Sequence, residues 1–218
     1  MDTVFILCNT LLITMVAVAY IYHPKYKNSN LKLLPYFLTL SFLIEITAYI
    51  LAHTHHYNIW LYNQYINIEY LFYIWLFYQY IENNLYKKLI IIFTFIYEVY
   101  FLISIIFLSD NINVMPTYAF AFAQILIIIV LFTFLLQMLS SDKILHIQQY
   151  LIFWVAVGLL FYYVVPLPLN VSENLLRKEM LSHKTLLFLR NIQFVGNVLM
   201  YLSIIYGLIW SSKTYTSP

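Results

Sequence analysis

The amino-acid sequence predicts an all-α integral membrane protein: a seven-transmembrane-helix bundle with its amino terminus outside and its carboxyl terminus in the cytoplasm. Three observations carry that expectation. Seven apolar stretches fill almost the whole 218-residue chain, only 9% of the residues are charged, and most of the lysines gather in alternate gaps. A bilayer core about 30 Å thick is crossed by roughly 20 helical residues, each rising about 1.5 Å. A water-soluble domain carries about 25% charged residues, so this chain has too few to cover a globular surface.

The spans follow in order within a single domain over residues 1–218. Residues 4–22 open without the positive region that starts a secretory signal, so this first span is expected to be retained. Residues 33–52 begin with Pro35 in the first helical turn, where a missing amide does no harm. Residues 59–81 start at Trp60, an aromatic suited to the membrane boundary. Residues 89–108 and 118–139 are strongly apolar, and Ala119 and Ala123 give the latter a small-residue face for close packing. Residues 147–165 end at Pro166 and Pro168, which cannot continue a helix. Residues 186–210 carry a second small pair, Ser203 and Gly207, and finish at Trp210. The gap at 166–185 reads as an outer loop or as a short interfacial helix with Leu175, Leu176 and Met180 on one face.

Cytoplasmic gaps retain Lys and Arg, and this rule sets the orientation. Lys25, Lys27, Lys32, Lys87, Lys88, Lys143 and Lys213 all fall on one side. Opposite them stand Arg177, Lys178 and Lys184, all in the last gap, while Arg190 lies inside the seventh span. The formal charge of +2, with no extended basic block, excludes a nucleic-acid footprint. The lone Cys8 excludes an intrachain disulfide. The 22 Tyr and 17 Phe accompany abundant Ile, Asn and Lys, as an AT-rich coding sequence produces, so aromatic richness alone does not signal a ligand cage. No long-period repeat is visible, and no span is broken at mid-membrane as inverted-repeat transporters require. The runs at 60–70 and 192–201 broadly resemble stretches of small seven-helix membrane proteins of bacteria, a resemblance that implies no activity. The expected location is the plasma (bacterial inner) membrane.

Function is sought first among residues that are costly to keep in a bilayer. A charged side chain at the centre of a transmembrane helix costs about 2.5–3.5 kcal/mol on insertion scales and by default marks a functional site. Glu45, Glu69 and Glu98 fall near the middle of the second, third and fourth spans, and Arg190 lies about a turn inside the outer end of the seventh. Helical spacing adds Ser41, Tyr49 and His53 to the Glu45 stripe, and Tyr62, Tyr65 and Tyr73 to the Glu69 stripe. Asn63, Asn67 and Tyr70 make an adjacent stripe; Arg190, Gln193, Asn197 and Tyr201 make another. The expected result is a pocket lined by Glu45, Tyr49, Asn67, Glu69, Arg190 and Asn197, open to the outer face. Arg190 suits an anionic group there and the aromatics an apolar end. The carboxamides also suit interhelical hydrogen bonding, worth about 0.6 kcal/mol each.

His53, His55 and His56 are the candidate metal ligands, since imidazole binds Zn, Cu or Fe, but they lack the tight spacing of a metalloprotease helix. No nucleophile–base spacing is recognisable, and the last span has no lysine for a retinal Schiff base. The sequence names no cofactor. The first expectation is a non-enzymatic protein that binds a small molecule or lipid and acts as a sensor or partner subunit. Because the longest gap cannot bury a core of its own, a signal would pass to a partner membrane or signalling protein. The alternatives are a proton-coupled small-molecule transporter working through Glu45 and Glu69, and an intramembrane metal-dependent enzyme using the outer histidines.

Overall fold

Long apolar runs with few breakers satisfy their backbone groups internally as helix, and helix is what the chain forms. The structure is a computed structural model that describes residues 3–54, 58–108, 116–167 and 183–212. Among the described residues there are seven α-helices and no strand. They are α1 (Thr3–Tyr26), α2 (Leu34–His53), α3 (Ile59–Tyr78), α4 (Asn84–Ile103), α5 (Thr117–Leu139), α6 (Leu151–Val164) and α7 (His183–Trp210). Five of them, α1, α2, α4, α5 and α7, are long and apolar enough to cross a membrane.

The two exceptions have different causes. Helix α3 has 20 residues but spends several on Asn63, Gln64, Asn67 and Glu69, which lowers its hydropathy. Helix α6 is apolar but only 14 residues long, about 21 Å against a core of about 30 Å. The expected start of that span at residue 147 is not α-helical. Residues Asp142–Gln149 form a 3-10 helix kinked at His146 (φ −128°, ψ 21°), and Tyr150 is extended before α6 begins. Helix α3 likewise stops at Tyr78 rather than 81, because Gln137 of α5 takes over the turn: its amide donates to Tyr80 O at 2.9 Å and its carbonyl oxygen accepts from Glu82 N at 2.8 Å.

Other ends follow local capping. Asn83 accepts from the amides of Leu85 and Tyr86, so α4 starts five residues before the expected 89. It ends in a π-helical turn, Ser104–Leu108. Helix α1 runs on past Pro24, in its last turn, to Tyr26, whose hydroxyl donates to Ala19 O at 2.6 Å. The loop expected at 166–185 lies outside the described residues from 168 to 182.

Neighbouring helices close a ring. Helix α7 packs on α6 and α1, α1 on α2, α2 on α3, α3 on α5, and α5 on α6, while α4 lies outside against α5 and α3. On α4, Ile91, Ile92, Phe95 and Leu102 are more than half exposed and only Tyr97 and Phe101 are buried, the pattern of an outward apolar face. The tightest seam joins α6 and α7. All three glycines of the chain stand on it. A Cβ at Gly207 would collide with Trp154 Cβ, one at Gly158 would lie 3.1 Å from Met200 O, and one at Gly196 3.3 Å from Phe161 O. Ser203 Oγ adds a 2.9 Å bond to Trp154 O across the same seam.

Candidate functional site

The polar side chains of α3 radiate to different neighbours. Tyr62 donates to Glu45 Oε2 on α2 at 3.1 Å, and Tyr65 donates to Ser41 Oγ at 2.7 Å. Glu69 is only 4% exposed and accepts from Tyr162 of α6 at 3.3 Å through Oε2. On another face Asn67 donates to Glu98 Oε2 of α4 at 3.3 Å, one turn from the edge-to-face pair of Tyr70 and Tyr97. Helix α3 therefore joins α2, α4 and α6 through its polar groups.

A cavity of about 410 Å³ opens between α3, α5, α6 and α7. Its polar wall comprises Glu69 and four carboxamides: Asn63, Gln124, Gln193 and Asn197. Its aromatic wall comprises Tyr62, Tyr70, Phe120, Tyr162 and Tyr163. These residues come from the first twelve positions of α3, the start of α5, the end of α6 and the middle of α7, so the cavity runs from one end of the bundle toward its middle. The Tyr163 hydroxyl is buried in this wall without a hydrogen-bond partner among the described residues. Leu76 and Phe77 near the far end of α3, and Ile81 just beyond it, are wholly buried in the apolar core.

The six pocket residues expected from the sequence are distributed as follows. Glu69 and Asn197 line the cavity, and Glu45 stands behind the wall, bonded to Tyr62. Tyr49 packs against His53 with ring centroids 4.0 Å apart and planes tilted by 39°, and Asn67 faces Glu98, so neither belongs to the lining. Arg190 falls in α7, one turn before Gln193, and its side chain lies outside the described residues. Of the candidate metal ligands, His53 holds its ring against Tyr49 O at 3.0 Å, while His55 and His56 lie outside the described residues. Among the described residues no three His, Cys, Asp or Glu side chains are grouped to hold a metal ion.

Helical spacing alone does not single out Gln124, Phe120, Tyr162 and Tyr163, which also line the cavity. Gln124 carried a usable signal, being the one carboxamide in the middle of the fifth span. The aromatics carried none, because such rings occur throughout the chain. No family model matches the chain, and no curated protein or solved structure matches it. The cavity and its lining therefore carry the functional reading.

Proposed function

We propose that this chain is a seven-span protein of the plasma membrane, amino terminus outside, that binds a small molecule or lipid in the α3–α5–α6–α7 cavity and reports its occupancy to a partner protein as a sensor or subunit. The observation that carries the reading is Glu69: a carboxyl group almost wholly withdrawn from solvent, on the polar wall of a cavity between four helices. Retaining such a group in a membrane helix is costly, and a binding role supplies the reason to keep it. In the proposed orientation the cavity lies in the outer half, so a ligand reaches it from outside or from the outer leaflet. Transport stands second: beyond the cavity, Leu76, Phe77 and Ile81 are buried in apolar core.

Native mass spectrometry of protein released from mild detergent tests the reading. The wild-type chain is expected to carry an adduct of small-molecule or lipid mass, and Asn197→Phe, which fills the cavity from α7, should reduce it several-fold while eluting as a monodisperse species. Equal adducts on both chains, or none on the wild type, would overturn it.

A further inference from the structure

We infer that the ligand of this cavity is a small organic ammonium ion, free or as the headgroup of a lipid. The inference rests on the binding reading above and names the chemistry that the wall selects.

Among the described residues the wall holds one carboxyl group, Glu69, and no Lys, Arg or His. A cation is what a buried carboxylate lacks, and a carboxylate facing a cavity keeps its charge most cheaply when a cation occupies that cavity. The rest of the wall favours an organic cation over a metal ion. Five aromatic residues line the space, and the faces of Tyr and Phe rings attract alkylated ammonium groups by their quadrupole, most strongly when water is excluded. Among the described residues no second carboxyl, thiol or imidazole joins Glu69 in the wall to complete a metal set. The carboxamides and the Tyr163 hydroxyl, which has no partner among the described residues, can accept a hydroxyl or amine proton from the remainder of the ligand.

The lipid source has a place for its chain. Tyr70 lines this cavity and also an apolar groove of about 390 Å³ between α4 and α5, lined by Ile74, Leu89, Phe93, Ile125 and Ile129. A headgroup beside Glu69 would thus leave its acyl chain one side chain away from a lateral apolar channel.

The test is calorimetric titration of the full chain in detergent with choline, with its uncharged carbon isostere dimethylbutanol, and with the anion dimethylbutanoate. Choline should bind about tenfold or more tightly than the uncharged isostere. Glu69→Gln should erase that preference while dimethylbutanol still binds. If Glu69→Gln fails to fold, Phe120→Leu decides the matter, with choline affinity falling several-fold and dimethylbutanol affinity unchanged. Arg190→Gln should leave choline binding intact or stronger. Preference for dimethylbutanoate, or loss of that preference in Arg190→Gln, would overturn the ammonium assignment while the cavity remained a binding site. No binding of any probe, with no cavity-dependent adduct in native mass spectrometry, would overturn both. The sources separate in micelles containing equal phosphatidylethanolamine and phosphatidylglycerol. Selective retention of the former identifies a headgroup, choline binding with neither lipid retained identifies a free amine, and selective retention of phosphatidylglycerol counts against an ammonium ligand.

Discussion

At the scale of single residues, the pair Asn67–Glu98 shows what a polar contact does on a helix whose other surface is apolar. Helix α4 is held against α3 by the Tyr70–Tyr97 ring pair and by the 3.3 Å bond from Asn67 Nδ2 to Glu98 Oε2. Interhelical hydrogen bonds in membranes average about 0.6 kcal/mol, since the separated helices also find partners. A double-mutant cycle with Asn67→Ala and Glu98→Ala, read by unfolding in mixed micelles, should give a coupling of about that size. Strict additivity would show that the two side chains do not act together. The same pair marks the limit of spacing arguments. The sequence puts Asn63 and Asn67 in one stripe, yet four residues advance a helix by about 40° beyond a full turn. On a helix with neighbours on several sides that drift is enough. Asn63 reaches the cavity and Asn67 reaches α4. Costly residues such as Glu69 were legible because a bilayer makes them rare; Tyr162 and Tyr163 were not, because only convergence distinguishes them from the other tyrosines.

At the scale of elements, the α6–α7 seam depends on what its glycines leave out. Membrane helices gain little from burying apolar surface against each other, so close backbone approach and dispersion contacts carry their association. The distances rank the three sites: a Cβ at Gly207 would collide with Trp154 Cβ, which sits too near its own backbone to swing aside, whereas those at Gly158 and Gly196 meet carbonyl oxygens at 3.1 and 3.3 Å. Thermal unfolding in detergent should therefore order the alanine variants, with Gly207→Ala least stable by about 1–3 kcal/mol, then Gly158→Ala, then Gly196→Ala. If Gly196→Ala proved the most damaging, this account of the seam would be wrong. Helix existence was readable from apolar length alone, and Ser203 with Gly207 already announced a close contact. The ends were less readable. Gln137 capping the α3–α4 turn is a tertiary event between residues 57 apart, and the kink at His146 has no Pro or Gly to declare it.

At the scale of the whole molecule, helix ends, lysines and cavity define a polarity. Lys25 Nζ donates to Ile209 O at 3.2 Å, and Ser212 N donates to Gln149 O at 3.1 Å, so the ends of α1 and α7 and the 3-10 helix before α6 share one end of the bundle. Gln137 ties the α3–α4 turn to the end of α5, which itself packs against that 3-10 helix. Lys25, Lys27, Lys87, Lys88 and Lys143 therefore gather at one pole, and the cavity opens toward the other. The bias of lysine toward cytoplasmic loops predicts that the lysine pole faces the cytoplasm and the cavity faces out. Single cysteines placed on a Cys8→Ser background measure this directly. Thr54, exposed after α2, and Lys88, exposed at the start of α4, lie at opposite poles. In intact cells a membrane-impermeant maleimide should label Thr54→Cys, and Lys88→Cys should react only after lysis. Labelling of both from outside would break the seven-span reading. Labelling of Lys88→Cys alone would invert it, turning the cavity and the ammonium site toward the cytoplasm and making any ligand an intracellular or inner-leaflet one.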